Sequence, residues 1–196
     1  MAEMGWFGRT MVNLRTVGRA SRLLQQVEGT LPLPKGARVL ELGAGGGGLA
    51  ALVHERFHPS CYVGTDFDPD QVNAARKFLT ARYGAIPPSI ELRQADAVSL
   101  PFPDASFECV FAILMLHHVE AQHGEYVRRP LALREIRRVL SPGGLFVYSD
   151  FSERERLKGS LAELGFSPVH VRARWRHEVG VFRAPNPSGV SPGTPG

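Results

Sequence analysis

The sequence predicts an α/β fold, a parallel sheet with helices on both faces, and three observations carry that expectation. Short apolar runs alternate with helical patterns from Arg38 to Leu164. The first run ends in Gly43-Ala44-Gly45-Gly46-Gly47-Gly48, a turn able to start a helix tight against a sheet. Acidic residues (Glu41, Asp66, Asp96) stand at the ends of successive runs. In such sheets ligands bind beyond the carboxyl ends of the strands, where the winding direction switches.

Taken in order, Met11 to Val27 carries apolar residues at helical spacing (Met11, Leu14, Val17, Ala20, Leu23, Leu24, Val27), with Arg15, Arg19 and Arg22 on another face. Leu31-Pro32-Leu33-Pro34 breaks that helix. Arg38 to Leu42 reads as a strand, Gly47 to Arg56 as a helix and Cys61 to Thr65 as a strand. Pro69 to Tyr83 reads as a helix capped by Asp68, with proline at its first position. Ile90 to Gln94 and Cys109 to Leu114 are strands, and Tyr126 to Leu140 is a helix stopped by Ser-Pro-Gly-Gly. Leu145 to Ser149 is a strand, Glu153 to Leu164 a helix, and Val169 to Arg174 with Val179 to Arg183 a closing pair of strands.

Composition narrows the classes. A chain of 196 residues, 43% hydrophobic and 21% charged, is one soluble globular domain with small appendages. The segments divide as an N-terminal helical stretch over 1–30, a main domain over 31–184, and a Pro/Gly/Ser tail over 185–196 expected to be disordered. The longest apolar run, Cys109 to Leu116, falls short of the about 20 residues needed to span a bilayer. With no secretory pattern, and with Cys61 and Cys109 each inside an apolar run, the expected setting is cytoplasmic with reduced thiols. A net charge of +4 is too modest to point to nucleic acid. The basic faces (Arg15, Arg19, Arg22, Arg128, Arg129) suit an anionic acceptor or a membrane surface, although a solvated face is the plainer reading.

The glycine turn alone leaves the ligand open. Gly43, Gly45 and Gly48 satisfy the dinucleotide pattern G-x-G-x-x-G, and Asp66 follows about 20 residues on, as that pattern requires. Gly43, Gly45 and Gly47 equally satisfy E-x-G-x-G-x-G after Glu41. A carboxylate at Glu41 would oppose a diphosphate and welcome a sulfonium or ammonium group. Gln94-Ala95-Asp96-Ala97 adds a second strand-tip acid, Leu100 to Val110 leads into the fourth strand, and Leu133 to Gly144 into the fifth.

With these motifs in this order, residues 36 to 184 resemble the class I S-adenosylmethionine-dependent methyltransferases, of the small-molecule group that includes quinone-biosynthesis enzymes. The resemblance implies a Rossmann-like, doubly wound, seven-stranded, mostly parallel sheet of order 3-2-1-4-5-7-6 with the last strand antiparallel. It implies S-adenosylmethionine as cofactor and a small-molecule methyl acceptor as partner. It assigns the ribose hydroxyls to Asp66, the adenine face to Phe67, and the adenine amine and ring to Asp96 and Ala97. Gly43, Ala44 and Gly45 would wrap the methionine moiety, oriented by Glu41, and Ile113 would touch the cofactor. The family's fourth strand usually begins Phe-Asp, where this chain has Phe107-Glu108.

His117 and His118 follow the fourth strand and are candidate proton acceptors, an imidazole being suited to that task near neutral pH. No cysteine or acid stands at matching spacing to make them metal ligands. Almost no insertion follows Asp150, where many relatives carry an acceptor-binding lid, so Trp6, Phe7 and the helix from Met11 to Val27 are expected to form one. Two rivals stand beside methyl transfer: a nicotinamide-dependent oxidoreductase, and a cofactor-binding partner protein without turnover.

Overall fold

A strand covered on both faces has no reason to alternate apolar with polar, and the central strands here do not. Phe107–Ile113 is almost wholly buried, whereas Ile90–Gln94, at a sheet edge, alternates buried with exposed. The computed structural model describes residues 17–18, 20–27, 29, 31–121, 128–151, 154–174 and 177–186. The helical residues 20–27 form α1. The chain then runs through β1 (Arg38–Leu42), α2 (Gly48–Phe57), β2 (Cys61–Asp66), α3 (Pro69–Tyr83), β3 (Ile90–Gln94), β4 (Phe107–Ile113) and α4 (Leu116–Ala121). It closes with α5 (Arg128–Val139), β5 (Leu140–Phe151), α6 (Arg154–Glu163), β6 (Ser167–Arg174) and β7 (His177–Arg183).

The strands make one seven-stranded sheet of order β3-β2-β1-β4-β5-β7-β6. Strands β1 to β5 pair in parallel, and β7 runs antiparallel to both β5 and β6. Successive residues of β1 face opposite ways: Val39 joins the core under α1, α2 and α3, while Leu40 and Leu42 join the core under α5 and α6. The fold class expected from the sequence is the fold observed.

Three local differences have physical causes. Among the described residues α4 spans six, fewer than two helical turns, and its segment reads as loop. Strand β5 starts at Leu140 rather than Leu145, because Ser141-Pro142-Gly143-Gly144 is taken into the strand as a bulge, with Gly143 at φ +73. Glu108, where Asp is usual, uses its longer side chain to accept from the Arg38 backbone N–H (2.7 Å) and guanidinium (2.8 Å), closing the sheet end opposite the site.

The first helix is part of the core. Ala20, Leu23, Leu24 and Val27 are buried among residues of α2 and β1, and Arg22 is exposed on the far side. Burying a leucine side chain contributes about 1.5–3 kcal/mol, so Leu23 and Leu24 dock α1 firmly. A Cβ on Gly48 would lie 2.9 Å from the Val17 nitrogen, so the chain at residue 17 lies against the start of α2, directly after the glycine turn. Trp6, Phe7 and residues 11–16 of the expected lid, and 187–196 of the expected tail, lie outside the described residues. Among the described residues, no helix is long and apolar enough to cross a membrane.

Candidate active site

The carboxyl ends of the parallel strands open onto a cavity of about 380 Å³, within the range of small-molecule sites. Its floor is the turn after β1. Gly43 and Gly45 adopt φ +72 and +49, conformations that side chains resist. A Cβ on Gly45 would meet nothing nearer than 4.0 Å, so this glycine leaves ligand-sized room. The turn is tied to β2: the Ala44 N–H donates to the Thr65 carbonyl (2.8 Å), and the Thr65 hydroxyl donates to the Glu41 carbonyl (2.9 Å).

At the tip of β2, Asp66 accepts from the Gly45 N–H (2.9 Å) and the Asp68 N–H (3.1 Å). A carboxylate offers about four acceptor positions, so these bonds orient Asp66 and leave capacity facing the cavity. Asp68 caps α3 by accepting from the Asp70 N–H (2.8 Å). Phe67 is half exposed on the cavity wall. The tip of β3 adds Asp96, which accepts from the Val98 N–H (3.1 Å) on one oxygen and from the Arg128 guanidinium (2.6 Å) on the other, with Ala97 buried beside it.

The tip of β4 turns sharply. Leu114 adopts φ +53, held by its N–H to the Ser149 carbonyl (2.7 Å), and Met115 packs over Gly43. A side chain on Gly43 would place its Cβ 2.7 Å from that of Met115. His118 lines the cavity, and its ring lies 3.9 Å from that of His117, centroid to centroid. Burial, and then the neighbouring His117, hold the His118 imidazole below its usual pKa. His117 stands behind it: its Nδ1 lies 2.6 Å from Asp150 Oδ1, and its backbone N–H donates to Asp150 Oδ2 (3.1 Å).

Of the positions expected from the sequence, Gly43, Gly45, Asp66, Phe67, Asp96, Ala97 and His118 line the cavity, and Glu41, Ala44, Ile113 and His117 do not. Ala44 is buried beneath the turn, and Ile113 packs against the core under α1 to α3. Glu41 differs most from expectation. It is 3% exposed, and its carboxyl accepts from the Tyr62 hydroxyl at 2.5 Å. Burial raises its pKa to about 8, against the pull of the Tyr62 bond and with nearby Asp66 adding to the rise. Burial thus favours the protonated form of Glu41, and its carboxyl meets Tyr62 rather than lining the cavity. Gln71 lines the cavity although no sequence motif marks it, Arg128, read from the sequence only as part of a basic face, lines it too, and Asp150 holds His117. Asp150 obeys the strand-tip rule that located Asp66 and Asp96, at the end of β5.

Residues 40–148 match the family described as the methyltransferase domain. The chain belongs to this family. Among curated relatives, a fatty-acid O-methyltransferase of Mycolicibacterium smegmatis is 39% identical over 120 residues, covering 61% of this chain and 39% of that protein. A phthiotriol/phenolphthiotriol dimycocerosates methyltransferase of Mycobacterium tuberculosis is 34% identical over 149 residues, covering 76% and 50%. The chain thus spans about half, or less, of the length of these relatives. The crystal structure of the [4+2]-cyclase SpnF superposes with a TM-score of 0.72 at 21% identity, covering 84% of this chain and 81% of that one. The methyltransferase family and fold imply S-adenosylmethionine as cofactor. The cavity fits such a group: two strand-tip acids and a glycine turn with room above Gly45 suit a nucleoside bearing an amino-acid arm. Among the described residues, no group of three or more His, Cys, Asp or Glu is gathered to hold a metal ion.

Proposed function

We propose that this chain binds S-adenosylmethionine in the cavity beyond β1 to β4 and directs its methyl group to an oxygen of an apolar small molecule. The observation that carries this reading is the placing of Asp66 and Asp96 at adjacent strand tips around one cavity floored by Gly43 and Gly45. Asp66 would accept from the ribose hydroxyls and Asp96 from the adenine amine, with Phe67 against the base. When bound, the cofactor supplies an electrophilic methyl carbon on a sulfonium. The chain's part is to hold the acceptor in line and keep water out, and held geometry can supply roughly 7–11 kcal/mol of a barrier.

Leu114, Met115 and Val119 give the cavity an apolar wall, and His118 is the nitrogen base within it. Its depressed pKa keeps the ring neutral at pH 7, ready to take the proton of an acceptor hydroxyl at a ring nitrogen. Asp150 fixes His117, on which the His118 ring rests. An oxygen on a lipid-like molecule agrees with the fatty-acid O-methyltransferase among the relatives. His118→Gln is expected to lower kcat by about 10²-fold, the low end for a lost general base, with cofactor affinity unchanged. Asp150→Asn should give a smaller kcat loss and move the acid limb of the pH–rate profile to lower pH, because the Asp150 charge pulls the His118 pKa up. Unchanged profiles in both variants would remove the base from the mechanism.

Titration calorimetry with S-adenosylhomocysteine and with NAD tests the cofactor, and binding of NAD alone would restore the oxidoreductase reading. Methylated product must be measured as well as binding, because a fold shared with a cyclase does not by itself assign methyl transfer.

The stretch before residue 17 is proposed to cover the cavity, since the chain there leaves from beside the glycine turn. Removing residues 1–16 keeps the buried stripe of α1. It should lower turnover at least about tenfold, the scale of lost positioning, while melting temperature and S-adenosylhomocysteine affinity stay near the parent's. Full turnover in the truncated chain would end the lid.

A further inference from the structure

Arg128 is the first described residue of α5, Arg129 follows, and no acid lies in the first described turn. The partner of Arg128 lies outside its own helix. Its guanidinium meets Asp96 Oδ2 at 2.6 Å, 32 residues away in sequence. Both side chains are about a quarter to a third exposed, and both line the same cavity. The other ionisable groups on that lining are Asp66, Asp68 and His118. Arg128 is thus the one guanidinium among the described lining residues.

The bonds around Asp96 are divided between its oxygens. The Val98 N–H holds Oδ1 from within the loop after β3, and Arg128 holds Oδ2 from α5. Held from both sides, the carboxylate cannot turn about its Cβ–Cγ bond, yet its remaining acceptor positions stay free. A fixed, acceptor-only group welcomes an exocyclic amine and opposes a carbonyl oxygen at the same ring position. A carboxylate free to swing would turn away from the carbonyl and discriminate less.

We infer that Arg128 is a positioning residue for the nucleoside: it locks Asp96 from α5, so that the site selects a 6-amino purine over its 6-oxo counterpart. This inference rests on the assignment of Asp96 to the adenine amine.

The test is titration of the full chain with S-adenosylhomocysteine and with S-inosylhomocysteine, which carries a 6-oxo group and an N1–H where the first has the amine and a bare N1. The N1 change is the same for parent and variant, so the change in ratio reads Asp96. The parent is expected to prefer the amine strongly, as sites built to bond a donor reject analogues lacking it. In Arg128→Ala the ratio of the two affinities should fall roughly fivefold, the upper scale of a partly exposed ion pair. Arg128→Gln should behave alike, and Arg128→Lys should restore most of the ratio. A role only in folding would weaken both ligands together and leave the ratio alone. An unchanged ratio in whichever of the Ala and Gln variants folds overturns the inference. A parent that binds neither nucleoside overturns the cofactor reading itself, and does so before any variant is made.

Discussion

Asp66→Ala will lose S-adenosylhomocysteine binding by about 100-fold or more, because two hydroxyl bonds to a charged acceptor, each about 1.5–3 kcal/mol, go with one side chain. The carboxylate also receives the Gly45 N–H, so its removal frees the turn that floors the site. Asp66→Asn separates the two contributions. The amide oxygen can still accept from Gly45, but its NH₂ opposes one ribose hydroxyl, so binding should fall by an intermediate amount. Calorimetric titration gives the affinities, and thermal unfolding shows whether each variant is folded. Asp66 is half-buried at a strand tip rather than in the core, so the melting temperature should change little. Parent-like affinity in folded Asp66→Ala would move the nucleoside out of this cavity.

What could be read from the chain divides along sequence separation. The strands, the Asp68 cap and the glycine turn depend on neighbours a few residues away, and all were legible; β3 and α3 match their expected limits residue for residue. Asp66 and Asp96 were legible because a strand tip in a parallel sheet is a place fixed by topology. The partners that complete the site come from afar: Arg128 reaches Asp96 across 32 residues and Asp150 reaches His117 across 33. No local pattern announces such pairs. Glu41 departs from expectation for another reason. It stands at a strand tip, but the period of two sends it to the same side as Val39, under the helices of the α1 to α3 layer. There Tyr62, on the same side of β2, meets its carboxyl.

That buried position gives Glu41→Gln the largest expected effect on stability, with a sign set by pH. The folded chain holds the Glu41 proton up to about pH 8, whereas an ordinary glutamate releases it near 4.5. Between those values the folded state carries a proton that the unfolded state has lost, so the group's contribution falls as pH rises through the window. The loss is absent below pH 4.5, grows steadily, and is complete above about pH 8. The substituted amide has no proton to lose in this range, and its oxygen still accepts from the Tyr62 hydroxyl. Measured as the difference between variant and parent, histidines and other groups titrating in the same range cancel, His118 with its lowered pKa included. Near pH 4.5 the two proteins should unfold within about 1 kcal/mol of each other, the net scale of one exchanged hydrogen bond. Near pH 8 the variant should be the more stable by roughly 3 kcal/mol or somewhat more, since linkage sets an upper bound of about 5 kcal/mol for such a shift. Denaturant titrations at pH 5, 6.5 and 8 read this directly. A difference flat across the three would mean that Glu41 is ionised in the fold, and would return its charge to the site.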